Sequence, residues 1–559
     1  MRSEVIKLLE KQTKLSKQEL ESLIEIPPSD DLGDYAFPCF SLAKIFKKHP
    51  IEISKQLAKE IKPTKEIEKI ISAGPYLNFF TNKKILAENT ISSVLAQKEK
   101  YGKNNSNKNK LMIEFSQPNT HKAFHVGHIR GTSLGESIAR IAEANGNKVV
   151  RANYSGDTGM HIAKWIWCYQ KFHKNEKLQD AESWIASIYV DAVKRLEGNE
   201  ELESEVAEIN KKLDESKDKA LIDLWKKTRQ LSIKSWEKIY KELNTKFDVH
   251  YFESEMEKPA KEISNSLVQE GIAEINDKAT IINLEKYNLS VWVLLRSDGT
   301  VLYSAKDLAL AVKKFKDYKL DQSLILLGHA QKLHSLQLIK TLELMKFQNA
   351  KDYEAMTFAE VRLPTGKMSS RTGENILYSD FIKELKSYAS KEIKSRSPKV
   401  SEKEIEQRAL TIAIAAIKYS MLKQDANKTL TFIKEDALNF DGNTGPYLLY
   451  SYARAKSILR KISKKISSKK ISELKTQEIK LVKQLASFPE ITKQSFQNKN
   501  PALIANYSYD LAKLFNEFYH ACPVINSENE KFRIQLTEAF AQTLKNSLNL
   551  LGINTLEEM

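Results

Sequence analysis

LMIEFSQPNTHKAFHVGHIRGTSLGESIARIAEANGNKVVRANYSG, residues 111 to 156, decides how the chain is read. It opens on a short apolar run, LMIEFS, and breaks into a polar loop. It continues as GTSLGESIARIAEANG, with helical spacing and Gly146 at its end, then closes on a second apolar run, KVVRANYSG. Strand, loop, helix, strand is the opening of a doubly wound parallel sheet, in which ligands bind at the carboxyl ends of the strands. Three histidines, His121, His125 and His128, stand at that end.

Three chemistries compete for them. As metal ligands, spacings of four and three could face one side of a helix. Yet Pro118 precedes them, Gly127 falls between the last two, and no acidic or cysteine ligand follows nearby. Solvated surface is the ordinary reading of any one of them alone. The third reading accounts for more: a His-Val-Gly-His turn at a helix N-terminus, where glycine lets a ligand approach the backbone and two imidazoles reach phosphate oxygens.

The whole chain sets limits on this. At 559 residues it is long enough for about three domains. Lysine and arginine number 88 against 72 acidic residues, a net charge of +16 that favours a polyanionic partner such as nucleic acid. Cys39, Cys168 and Cys522 are far apart and odd in number, so neither a disulfide framework nor a Cys-x-x-Cys zinc site can be built from them, and a reducing cytosol fits. The start, MRSEVIKLLEKQTKLSKQELESLIE, mixes charges into helical spacing, unlike a signal peptide, and no apolar run is long enough to cross a bilayer. A soluble protein is expected.

The punctuation divides the chain. Residues 1–100 read as a small α+β module, with FSLAKIFKKHPIEISKQLAKEI helical around Pro50 and ISAGPYLNFFTN turning into a strand. KEKYGKNNSNKNK reads as a linker. Residues 106–380 carry the parallel sheet, with an insertion at about 175–290 that is helical (LDESKDKALIDLWKKTRQLSIKSWEKIYKEL) and then extended (ATIINLEKY, VWVLLRSDGTVLY). The α/β pattern resumes with SLILLG and AMTFAEVRL, and residues 381–559 read as a helical bundle. The fold class predicted is therefore multidomain α/β: a Rossmann-like sheet with insertions, a small N-terminal α+β domain and an all-α C-terminal bundle.

HVGH at 125–128 resembles the first signature of class I aminoacyl-tRNA synthetases, and GKMSSRTG at 366–373 resembles the second. NYSGDTGMHIAKW, SDGTVLYSAKDLA, FDGNTGPYLLYSYAR, LNLLGINTLEEM and, near the start, DLGDYAFPCFSLAK and AGPYLNF are similar to the successive landmarks of the arginyl-tRNA synthetases, over essentially the whole length.

That resemblance implies activation of L-arginine by ATP to arginyl-adenylate, then transfer to the terminal adenosine of tRNA(Arg). It implies ATP accompanied by Mg2+, no resident metal, and a cytoplasmic enzyme, expected as a monomer. His125, His128, Lys367 and Lys122 would be catalytic. Gly127, Gly328, Met368 and Ser369 would join them around ATP. Glu114, Asn119, His128, Tyr303, Asp307 and Gln331 would bind arginine, and YSAKD puts Tyr303 and Asp307 four apart on one helix face. Two departures matter. Gln117 stands where serine is often found, and Ser370 replaces the second lysine of the second signature. Members lacking that lysine have one just ahead of the first signature, where Lys122 stands; Arg371 is a second candidate. A loop one cation short makes a tRNA requirement for the activation step an expectation. The tyrosines of the bundle, Tyr447, Tyr450 and Tyr452, suit either stacking on unpaired bases or packing.

Overall fold

The computed structural model describes residues 1–105, 107–364, 366–367, 377–396, 400–462 and 473–559. The chain forms two compact units. One joins residues 1–101 to 458–487 and 513–543; the other takes 102–457, 488–512 and 544–559. The helical C-terminal third is thus shared between them.

In the first unit a three-stranded antiparallel sheet, Tyr35–Pro38, Tyr76–Thr81 and Ile67–Ala73, packs against the helix Pro50–Glu60. Pro50 starts that helix, where its missing N–H costs nothing. Phe37, Leu57, Leu77 and Phe79 fill the core. Asp34 is gripped by Lys83 and, at 2.8 Å, by Lys483; these partners outweigh its burial and hold the carboxyl at about 2.

The doubly wound sheet lies in the second unit. Five parallel strands, β1 (Lys110–Glu114), β2 (Lys148–Ser155), β3 (Val249–Phe252), β4 (Gln322–Gly328) and β5 (Tyr353–Phe358), stand in the order 3-2-1-4-5. The order reverses between β1 and β4, so a crevice opens beyond Glu114 and Gly328. β3 corrects the expected insertion: Val249–Phe252 lies inside 175–290 yet belongs to the sheet. Four residues between charged helices carry too little pattern to be recognised.

Helix α1 (Val126–Ala144) lies flat on this sheet because its inner face is small: a Cβ on Gly135 would sit 2.1 Å from the Phe115 ring, and one on Gly131 3.1 Å from the Phe358 ring at the end of β5. Helix α2 (Lys219–Glu242) covers the loop before α1. Helix α3 (Glu253–Gln269) follows β3 directly. An antiparallel sheet of Glu274–Asn276, Ala279–Asn283 and Val291–Leu295 then leads into helix α4 (Tyr303–Tyr318), and helix α5 (Lys332–Leu344) follows β4. Helix α6 (Tyr378–Arg396) follows the second signature.

Candidate active site

His125 is the N-cap of α1, and its Nδ1 accepts the Gly127 N–H at 3.1 Å. The His125 N–H donates to His128 Nδ1 at 3.1 Å, a reciprocal cap built from two imidazoles. Because each Nδ1 accepts, each neutral ring keeps its proton on Nε2. The rings stack, with centroids 3.8 Å apart. Burial and then the Lys122 charge hold His125 at about 4; burial, His125 and Lys122 hold His128 well below the imidazole range. Both are therefore neutral at pH 7 and present Nε2–H donors at a helix N-terminus. Gly127 is required here because a Cβ would lie 2.9 Å from His125 Cε1.

Lys122 is half-buried over the Tyr189 ring, 5.3 Å from its centroid, and makes no ion pair among the described residues. Burial and then Lys164 push its ammonium below the usual range. Lys122 thereby brings positive charge beside the two imidazoles. His121 is neither surface nor ligand. It is wholly buried, its Nε2 is 2.8 Å from Thr228 Oγ1 on α2, and its ring meets Trp165 edge-on.

The second signature returns to the first. Gly366–Lys367 pairs antiparallel with Val361–Leu363, which pairs parallel with Leu430–Thr431. Arg130, one turn along α1 and buried, donates to the Glu360, Ala426 and Lys428 carbonyls at 3.2, 3.2 and 2.8 Å, tying α1 to that small sheet. Past the signature, Leu377 bridges His125, and the Tyr378 N–H donates to Phe124 O at 3.0 Å. Glu182 accepts the N–H groups of Tyr378 and Ser379 at the start of α6; burial pushes its carboxyl up to about 7. The Lys367 side chain, and Met368, Ser369, Ser370 and Arg371 entirely, lie outside the described residues.

The other side of the crevice is acidic. Tyr154, at the end of β2, has a buried hydroxyl with no hydrogen-bond partner among the described residues. Burial and then Asp307, Glu253, Glu114 and Asp157 push its phenol far up. Three of these carboxylates carry cations already: Glu114 has the buried Lys314, Asp157 has Arg229 at 2.7 Å, and Glu253 has Lys306 at 3.8 Å. Asp307 alone of the four has no lysine or arginine partner among the described residues, its contact being His334 at 2.7 Å. Tyr303 stands one turn earlier on α4, 59 % exposed. Asn119 reaches Gly156, where a Cβ would meet its Oδ1 at 2.5 Å. Gln331 is exposed just ahead of α5, and Gly328 ends β4 with open space around its Cα. Gln117 donates to Glu114 at 2.8 Å, so it lines the floor.

A crevice basic on one side and acidic on the other suits a polyphosphate beside a cationic small molecule. The family model for the class I (R) tRNA synthetase catalytic domain matches residues 90–433, the DALR anticodon binding domain matches 448–559, and the arginyl tRNA synthetase N terminal domain matches 1–81. The chain belongs to the arginyl-tRNA synthetases of class I.

Arginine–tRNA ligases of Clostridium botulinum (strain Loch Maree / Type A3) and Clostridioides difficile (strain 630) are each 35% identical to it, over 99% of this chain and 99% and 98% of theirs. The fold is that of the solved Thermus thermophilus arginyl-tRNA synthetase, with TM-score 0.83 at 23% identity over all of both chains. It is also that of the Plasmodium falciparum one, 0.77 at 24% over 96% and 94%.

Within this family frame, the sequence reading missed Tyr154, Glu253 and His334. They come from β2, α3 and α5, and no spacing links them. One group of metal-type ligands exists among the described residues, Cys168, His173 and Asp191. Asp191 Oδ2 is already taken by Arg195 at 2.8 Å, so that carboxylate is matched by a cation without a metal.

Proposed function

We propose that this crevice activates L-arginine with ATP and charges tRNA(Arg), and that the residues divide the work by charge. The observation that carries this reading is Asp307, the carboxylate of the acidic side with no lysine or arginine partner among the described residues, while Lys122 beside the two imidazoles makes no ion pair among them. A guanidinium paired with Asp307 and Tyr303 matches the first, and the phosphates of ATP, with the Mg2+ that enters with them, match the second.

His125 and His128 offer Nε2–H to phosphate oxygens, and Lys122 and Lys367 supply the positive charge that develops its full value when the α-phosphate is attacked by the arginine carboxylate. Gly127 and Gly328, with Met368 and Ser369, border the nucleotide; Asn119 and Gln331 hold the amino-acid end, and Glu114, neutralised by Lys314, serves as a floor. Residues 1–100 and 381–559 contact tRNA, with 106–380 catalytic, in a cytoplasmic monomer.

Activation waits for tRNA in this reading. Ser370 leaves the loop one cation short. In support, Ser137 and Arg140 on the back of α1 donate to Leu550 O and Asn549 Oδ1 at 2.9 and 2.8 Å, so the end of the anticodon-domain segment touches the helix that carries HVGH. Coupling of about 3 kcal/mol would raise a competent population more than a hundred-fold. Charging of mixed tRNA with each of the twenty amino acids tests the activity; an amino acid other than arginine being charged would overturn it. Arginine-dependent exchange of pyrophosphate into ATP, with and without tRNA whose terminal adenosine is oxidised, tests the requirement. Rapid exchange without tRNA would remove it.

A further inference from the structure

Three elements meet at His334. Its Nε2 lies 2.7 Å from Asp307 Oδ2 on α4, and its Nδ1 lies 3.2 Å from Trp292 Nε1 on the strand Val291–Leu295. The Tyr303 ring packs against the imidazole with centroids 4.8 Å apart. His334 itself stands on α5, three residues beyond Gln331. Trp292 and His334 are 4 % and 9 % exposed, whereas Tyr303 is open to the crevice.

The chemistry of the chain of contacts runs one way. An indole N–H only donates, so His334 Nδ1 has to accept. A neutral imidazole accepting at Nδ1 carries its proton on Nε2, which then donates to Asp307. Asp307 is thereby held by a neutral donor rather than by a cation. It is oriented but not neutralised, and its charge stays available to a guanidinium that needs a fixed carboxylate plane. A lysine or arginine in the place of His334 would fix the carboxylate and cancel it.

We propose that His334, set by Trp292, is the positioning residue that fixes the guanidinium acceptors Asp307 and Tyr303 and so determines arginine affinity. This rests on the reading of Asp307 as the guanidinium partner. The relay is part of the binding side alone and leaves the phosphate side untouched.

The test is steady-state charging kinetics with tRNA present, reading the Michaelis constants for arginine and for ATP separately. His334→Ala should raise the arginine constant about ten-fold and leave the ATP constant unchanged. His334→Gln should recover most of that loss, since its amide nitrogen takes the place of Nε2 as donor. Trp292→Phe keeps an aromatic side chain but removes the N–H; it should raise the arginine constant roughly three-fold, and together with His334→Gln it carries the test should the alanine variant not fold. On an Asp307→Asn background, His334→Ala should add little, because the two act through one contact. Equal rises for arginine and ATP, a glutamine no better than alanine, or an undiminished effect on the Asp307→Asn background would overturn the proposal. Asp307→Asn with an ordinary arginine constant would instead overturn the reading beneath it, whatever His334 does.

Discussion

Replacing Gly127 by alanine separates the chemistry of the first signature from its contribution to stability. The new Cβ would stand 2.9 Å from His125 Cε1 and 3.0 Å from Nδ1. Carbon atoms at ease are about 3.5 to 4.0 Å apart, so the ring has to swing away by roughly half an ångström or more. That breaks the 3.1 Å bond from the Gly127 N–H and opens the stack on His128. A lost cap is worth about 1 kcal/mol and a lost ring pair about 0.5 to 1.5 kcal/mol. Against this, alanine in a helix is favoured over glycine by about 1 kcal/mol. The gain offsets only part of the loss, and the urea midpoint should fall by the equivalent of about 0.5 to 1.5 kcal/mol. Exchange of pyrophosphate into ATP, measured with arginine and tRNA, should nevertheless fall about a hundred- to a thousand-fold, the usual cost of one misplaced donor in a phosphate or oxyanion site. Wild-type exchange in Gly127→Ala would refute the assignment of His125. A loss of several kcal/mol of stability would refute the claim that the ring, and not the helix, gives way.

Asp307→Asn keeps the shape and removes the charge; the arginine constant should rise about ten- to a hundred-fold with the ATP constant little changed, and an equal loss of both would make Asp307 structural. Lys122→Ala and Lys367→Ala should each lower turnover more than substrate affinity, with the double variant short of the product of the two; Lys122→Ala at wild-type turnover would remove its compensating role. Lys418, wholly buried, donates to the Leu243 and Gly552 carbonyls, and burial holds its ammonium down at about 7 against an ordinary 10.5. The unfolded chain then binds the extra proton between pH 7 and 10.5, so this group makes stability rise with pH across that window, by up to about 1.4 kcal/mol per unit. Lys418→Met should flatten that rise in urea titrations; an unchanged slope would mean that the native lysine stays charged.

What was legible in the chain was what lies close along it. HVGH was legible as a helix start because a glycine between two histidines stands directly before a helical run, and the helix does begin at Val126. Tyr303 and Asp307 were paired only through the family resemblance of YSAKD; α4 does start at Tyr303, so four residues return to the same face. The acidic side was not legible. Tyr154, Glu253 and His334 are brought to Asp307 by successive crossovers, each residue ordinary in its own neighbourhood. His121 misled for the opposite reason. Its sequence setting is polar, but α2, more than a hundred residues away, supplies Thr228 and Ser232 to bury it.

The loop that ends β1 joins these observations. Ser116, Gln117 and His121 all adopt left-handed backbone, with φ of 78°, 52° and 61°, within six positions and without a glycine among them. Such residues cost of order 1 to 3 kcal/mol each and persist only where surrounding contacts over-determine them. The contacts are present. Ser116 Oγ meets Tyr240 at 2.9 Å and Thr132 at 2.8 Å, the Gln117 N–H reaches Asn153, and the His121 N–H reaches Ser232 at 3.0 Å. Tyr240, Thr228 and Ser232 all belong to α2, a helix of the inserted segment. The insertion therefore works on the catalytic loop from behind, holding it in a conformation it would not choose. Lys122 brings its charge beside the HVGH cap, and through Arg130 α1 grips the small sheet that Gly366–Lys367 joins. In the proposed reaction this arrangement would separate fixed donors at a helix N-terminus from positive charge brought in from outside that helix, and α1, which Asn549 and Leu550 touch from behind, is the element through which bound tRNA would act on the donors.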